Sequence, residues 1–434
     1  MSLASKRVNP NADKLYRTIW RWHFYAGLLC IPFIISLSVT GAIYLFKPQI
    51  DNWIDRSYQN LPTSPNRTTP SEQIAAALNA KPNASFASYR LPETDTQAIV
   101  ITVKEKGVAS LVYVNPFTLN VLKVVKKNDQ FIRIIRALHG ELLLGNVGSI
   151  IIELSGCWAI VMIITGLYLW WPRNASGFAG LIYPRLMQGR RKFWRDLHAV
   201  TGFWVAFFTL FLLISGLPWA LVWGSAFKEI RSLGQPVAVQ QDWEVNQQPQ
   251  MKIPIDWSRS LTPLLLQKAQ DLKFNPPLEL GPDRHNPKQW KLSSGHQNRM
   301  LRADAWFNAN TGELIRTKPF SERKALDKAI GIGIAAHEGH LFGVANQILG
   351  LVVTLALILV SITGFILWRK RKPTGILGAP PPMPNVKIAK MIFIIILILA
   401  ALLPVLALSL LALLCVEKLI LQRINPVKNW LGLA

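Results

Sequence analysis

"WRWHFYAG" (residues 20–27) and "FWRDLHAVTG" (193–202) are two copies of one pattern. In each a histidine is followed four positions later by glycine: His23 by Gly27, His198 by Gly202. Fourteen residues further on comes a second glycine, as "TG" at Gly41 and "SG" at Gly216. A second pair of motifs alternates with the first. "LHGELLLG" (138–145) and "AHEGHLFG" (336–343) align His139 with His337 and Gly145 with Gly343. Twenty-one residues beyond those glycines both copies carry "TG", at Gly166 and Gly364. Both then end on an aromatic-basic stop, "YLWWPR" and "FILWRKR". The chain is thus an internal duplication.

Each motif opens a stretch apolar enough to cross a bilayer, which takes about 20 residues. The predicted spans are 24–46, 150–171, 199–223 and 345–368, with an unduplicated fifth over 388–416. No cleavable signal peptide is read at the start, because the first apolar run is too long. The chain of 434 residues carries a net charge of +24, and its placement matters more than its size. The arm 1–23 holds Lys6, Arg7, Lys14, Arg17 and Arg21. The segment 172–198 holds Arg173, Arg185, Arg190, Arg191, Lys192 and Arg195 against one acid, Asp196. The segment 369–387 opens "RKRKP" and has no acid. The long loops 47–149 and 224–344 are nearly balanced. Short basic segments of this kind stay cytoplasmic. The N-terminus and residues 172–198 and 369–387 are therefore expected inside, and both long loops outside; the tail 417–434 follows span five. The charge then reads as topology and contact with the lipid bilayer, and no nucleic-acid site is expected. Cys30, Cys157 and Cys415 all fall in spans and staple no exported loop.

This topology puts the histidines at two levels: His23 and His198 at the cytoplasmic ends of spans one and three, His139 and His337 at the exported ends of spans two and four. Cofactor sites of helix bundles are built from side chains on facing helices. Imidazole suits iron, zinc and copper. Glycine inside a helix costs about 1 kcal/mol against alanine, so Gly27, Gly41, Gly202 and Gly216, on the histidine faces, are read as troughs for a flat macrocycle. Two His–haem–His sites follow, with His340 an alternative ligand to His337. Interfacial anchoring of the histidines and plain helix contact at the glycines are the competing readings. "HEGH" spaces its histidines three apart, not four as in zinc proteases, though three apart can still share a helix face. Glu153 lies inside span two, and an intramembrane carboxylate is a functional candidate. Glu153 and His340 are the candidate catalytic groups. Trp20, Trp22, Trp170, Trp171, Trp194, Trp219, Trp223 and Trp368 fit an interfacial belt.

In the first long loop, "PSEQIAAAL" reads as a serine-capped helix, "QAIVITVK" and "ASLVYVNP" as strands, and "NPFTLNVLKVV" as a turn between strands. The second repeats this with "LTPLLLQKAQDL", "KQWKLSS", "MLRADAWFN" and "NANTGELIRT". The expected architecture is an α-helical membrane protein. It has a four-helix bundle from two repeats, a fifth helix, and two small α+β domains outside the membrane.

"YVNPFTLNVL" and "WFNANTGELI" resemble the turn of PepSY domains, and with the "WRxH…G", "LHGELLLG" and "AHEGHLFG" span starts the chain resembles the PepSY-associated transmembrane family up to about Arg371. The resemblance implies a bacterial inner-membrane, multi-pass protein with PepSY-like periplasmic domains, similar to ferric-siderophore reductases. It implies two b-type haems, one on His23 and His198 toward the cytoplasm, one on His139 and His337 toward the periplasm. Electrons would come from a cytoplasmic or quinol donor and pass to a ferric siderophore or another periplasmic ferric chelate. Two other classes remain open: a non-enzymatic membrane protein that binds or restrains exported peptidases, and a metal-binding membrane protein or transporter using His337, Glu338 and His340.

Overall fold

The computed structural model describes residues 10–172, 177–233, 261–283, 285–286, 288–386 and 390–433. Lys6, Arg7, Arg173, the loop stretch 234–260 and the first residues of the fifth span lie outside them. In chain order the helices are α1 (Pro10–Leu45), α2 (Lys47–Ile54), α3 (Pro70–Asn79), α4 (Phe131–Glu141), α5 (Gly145–Trp170), α6 (Arg190–Gly216), α7 (Leu221–Ser232), α8 (Pro263–Asp271), α9 (Ala325–His337), α10 (Val344–Arg371), α11 (Lys390–Leu402), α12 (Pro404–Val416) and α13 (Asn425–Leu431). The strands are β1 (Ser85–Leu91), β2 (Ile99–Glu105), β3 (Val108–Val114), β4 (Val121–Lys126), β5 (Leu278–Pro282), β6 (Gln289–Ser294), β7 (Ala303–Asn308) and β8 (Leu314–Pro319).

Among the described residues, five helical segments are long and apolar enough to cross a membrane: Ala12–Leu45, Gly145–Trp170, Arg190–Trp219, Val344–Arg371 and Pro404–Leu421. The fifth span is not one helix over 388–416. Leu403 is extended and Pro404 opens α12, because proline has no N–H to continue α11. Span three also ends earlier than 223: α6 stops at Gly216, a 3₁₀ turn covers Leu217–Trp219, and α7 starts afresh.

The chain divides into two compact units. The first comprises Met1–Ala42, Ala137–Val239 and Leu349–Ala434; the second comprises Ile43–Arg136 and Gln240–Ile348. In the first, α12 docks on α5 through Cys157, Ile160, Val405 and Leu406, and Trp158 Nε1 donates to Ser409 Oγ at 3.2 Å. The unduplicated segment is therefore packed on span two and also meets the second repeat, where Trp223 Nε1 donates to Leu402 O at 3.1 Å.

The second unit departs from the expected pair of domains. Its described strands form one antiparallel sheet, ordered β4-β3-β2-β1-β5-β6-β7-β8. The halves join where β1 pairs β5, Tyr89 opposite Leu280 and Leu91 opposite Leu278. An unpaired edge exposes backbone N–H and C=O groups; pairing two edges satisfies both at once. Neither β1 nor β5 was legible: β1 has a bulge near Phe86, and β5 contains Gly281 and Pro282, both poor strand formers. One face is closed by α3 and α8 over Ile74, Ile99, Ile101, Leu265, Leu280, Leu292, Trp290 and Phe307, all essentially inaccessible. Full burial of each such aliphatic or aromatic side chain stabilises by about 1.5–3 kcal/mol. The cap of α3 is Thr69 rather than a serine. Its hydroxyl accepts from Glu72 N, and Glu72 Oε2 accepts from Thr69 N at 2.7 Å, with Pro70 at the first helical position. This is a capping box.

Candidate cofactor site

His23 sits on α1 and His198 on α6, and the first unit brings the two rings next to each other. Their ring centres are 6.4 Å apart with the planes at 79°. Each ring rests on a neighbouring helix at a Thr-Gly pair. His23 Nδ1 is 3.0 Å from Thr165 Oγ1 of α5. His198 Nδ1 is 3.0 Å from Val360 O and 3.3 Å from Thr363 Oγ1 of α10. The next residue is glycine in both. A Cβ on Gly166 would lie 3.1 Å from His23 Cε1, and one on Gly364 would lie 3.2 Å from His198 Cε1. His139 on α4 follows the same rule: Nδ1 is 2.9 Å from Thr40 Oγ1 of α1, and a Cβ on Gly41 would lie 3.5 Å from its Cε1.

The seats fix the tautomer. A threonine hydroxyl has one proton and two lone pairs. Thr165 donates its proton to Val161 O at 2.8 Å, and Thr40 donates to Ser36 O at 2.7 Å. Each hydroxyl can then only accept from its histidine, so Nδ1 carries the proton. For His198 the acceptor is a carbonyl, which leaves no other choice. Nδ1–H leaves a lone pair on Nε2, the form that binds a metal, and such outer hydrogen bonds orient ligating histidines.

The structure reassigns the glycines. Gly27 and Gly202 border the cavity between the helices, as a trough reading requires. Gly41 instead seats His139, and Gly216 closes α6. Thr165, Gly166, Thr363, Gly364 and Thr40 were missed as site residues, although the repeated "TG" was their signal.

The cavity has a volume of about 1620 Å³ and is lined by both histidines, Trp20, Trp170, Trp194 and Trp368. Half of the expected tryptophan belt thus faces inward. Trp170 stacks on Phe203 at 4.0 Å. Arg185, Arg190, Arg191, Arg195, Lys370 and Arg371 also line it. Two of these are committed to buried Asp196: Arg185 Nε lies 2.6 Å and Arg195 Nη2 2.7 Å from its carboxylate. Arg371 lies over Trp20 at 4.5 Å and Lys370 over Trp194 at 5.4 Å. This leaves a cationic rim around an aromatic, histidine-bearing interior.

Glu153 is buried on α5, and both carboxylate oxygens are engaged. Oε2 accepts from Val222 N at 2.8 Å and Oε1 from Trp223 N at 2.9 Å. These are first-turn amides of α7, groups without intrahelical partners. Glu153 therefore caps α7.

"HEGH" lies in the second unit. α9 ends at His337, Glu338 is its C-cap, and Gly339 has φ +79°. His340 N then bonds back to Ala335 O at 2.7 Å, a Schellman-type ending. The two histidines are not on one helix face, contrary to the spacing argument. Among the described residues no group of three or more His, Cys, Asp or Glu could hold a metal ion. His139 belongs to the first unit and His337 to the second, so their pairing rests on the repeat. The repeat also shows in the backbone: aligned Gly145 and Gly343 have φ +57° and +60° at the entries to α5 and α10, a conformation glycine adopts without steric cost.

These features define a multi-pass helical membrane protein with a histidine-lined cavity in its helical unit and an antiparallel sheet in its second unit. The family model described as the PepSY-associated TM region matches residues 20–371, and the chain belongs to that family. No curated protein matches the sequence.

Proposed function

We propose that the cavity holds a b-type haem with His23 and His198 as its two axial ligands. We further propose that the protein carries electrons across a bacterial inner membrane to a ferric chelate, such as a ferric siderophore. The observation that carries this reading is the 6.4 Å between ring centres. Two metal–imidazole bonds of about 2.0–2.1 Å, with each ring centre roughly 1 Å behind its nitrogen, would suit centres up to roughly 6–6.5 Å apart. Two imidazoles do not complete a structural zinc site, which takes four ligands. A porphyrin supplies the rest itself. The cationic rim suits its propionates, with Arg190, Arg191, Lys370 and Arg371 as the holding groups. The aromatic lining suits its faces.

Haem, when bound, supplies one-electron transfer. The chain's part is to hold both imidazoles as Nδ1–H tautomers, to clear space behind each ring with glycine, and to exclude water with tryptophan. His139, seated on Thr40 in the same tautomer, is the proposed ligand of the second haem that the repeat predicts. The short basic segments support an orientation with the N-terminus inside and the long loops on the exported side. Reduction favours release because siderophore oxygens are hard ligands and ferrous iron is the softer ion.

The test is haem per chain in detergent-purified protein made with ample haem supply, followed by anaerobic reoxidation of the reduced protein by a ferric siderophore. The reading expects haem in the purified protein, and haem reoxidation that depends on the siderophore. Protein without haem, or reduced haem that stays reduced, would sink it.

A further inference from the structure

The second unit gathers several arginines around a buried guanidinium whose Nε is left without an acceptor. Arg299 is only 8% exposed, yet its Nε finds no acceptor. It sits in the 3₁₀ turn Arg299–Leu301, with its Cβ near Gly331. Arg302 is half-buried and donates from Nε to His296 O at 2.6 Å. The same loop is tied to the turn after α9 by Asn298 Nδ2, which donates to Leu341 O at 3.3 Å. That turn carries His340, also 8% exposed, whose Nε2 has no partner. Arg302 lies within electrostatic reach of Arg299, Arg323 and Glu338, and Arg299 within reach of Arg136 as well. Arg299 and Arg302 therefore share the field of Glu338 with each other and with further arginines.

Burial, and then the neighbouring Arg299, draw Arg302 down to about 10; it is still charged at neutral pH. Burial first, and then Lys47, His296 and Arg302, push His340 down to about 4, so it is neutral there. A buried charge without a partner is costly, and an arginine fork matches carboxylate geometry. A scaffold that only needed to fold would gain from an apolar side chain at position 299.

We propose that Arg299 and Arg302, with His340 beside them, bind the carboxylate groups of an anionic ferric chelate. This rests on the reading of the protein as a ferric-chelate reductase and narrows its substrate class from ferric chelates in general to those with free carboxylates. Neutral hydroxamate chelates bind without these arginines.

The probe is gallium(III) citrate, a redox-inert stand-in for the ferric complex, titrated calorimetrically into the full chain in phosphatidylcholine nanodiscs. The double variant Arg299→Gln, Arg302→Gln should bind about tenfold more weakly. Its affinity for a neutral gallium trihydroxamate should be unchanged. Glu338→Gln removes the competing carboxylate and should tighten citrate binding, a gain that misfolding cannot produce. Absence of binding by the wild type would overturn the proposal. So would equal citrate affinity in the double variant, equal loss for the neutral chelate, or no tightening by Glu338→Gln. Phosphatidylglycerol retained through purification by the wild type and not by the double variant would assign the cluster to a lipid headgroup and also overturn it. Calorimetry reads binding without turnover. A failure here leaves the His23–His198 site standing, and a failure to find haem leaves the anion site standing.

Discussion

The two compact units use their interiors in opposite ways. The sheet unit closes its centre with aliphatic and aromatic side chains that are inaccessible to solvent. The helical unit keeps about 1620 Å³ open and aims two histidines into it. Each imidazole in that cavity is positioned by a neighbouring helix. Here Thr165, Thr363 and the glycines beside them hold each imidazole against its neighbouring helix. One unit is therefore closed by its own side chains, and the other turns histidines toward a cavity.

The substitution expected to separate them most sharply is His198→Ala. It should remove the haem proposed on His23 and His198, lowering haem per chain by about half, because axial ligation is a main anchor of haem iron. The sheet unit should keep its protection from hydrogen exchange. Haem quantified per chain checks the first claim. A variant that keeps its full complement would break the comparison at its root.

Thr165→Val comes next. It removes the acceptor for His23 Nδ1–H, and loss of such a partner typically costs about 10–100-fold in metal affinity. Competition of the wild type and the variant for limiting haem would show it. Equal occupancy would mean that packing alone orients the ring.

The glycines sharpen the contrast within the helical unit. Alanine at Gly166 would put its Cβ 3.1 Å from His23, while at Gly41 the distance to His139 is 3.5 Å. The first is tighter than ordinary contact and must displace the ring; the second is not. Gly166→Ala should shift the reduced spectrum of one haem, and Gly41→Ala should leave the spectrum unchanged. The reverse order would refute the seat geometry.

The smallest effect belongs to the sheet unit. Thr69→Ala removes the α3 cap and should cost about 1 kcal/mol of stability, measured by thermal unfolding, with an unchanged haem spectrum.

Much of this was readable from the chain. The spans and the alternating histidines follow from hydropathy and from equal spacings in two halves. What escaped was long-range. Gly166 and Gly364 act on histidines carried by other helices, so no periodicity along α5 or α10 could assign them. The union of β1 with β5 joins residues far apart in the chain through a bulged strand and one containing proline. Glu153 read as a functional carboxylate because nothing local shows that α7 would begin beside it. Pro404 did signal the break in the fifth span, and the length of the apolar run masked it.

The most direct test of the central claim is the electron paramagnetic resonance spectrum of the oxidised, purified protein, compared with that of His198→Ala. Imidazole planes at 79° should give a strongly anisotropic low-spin ferric signal, and the substitution should abolish it. A high-spin signal from the wild type, or a low-spin signal that survives the substitution unchanged, would contradict a haem held between His23 and His198.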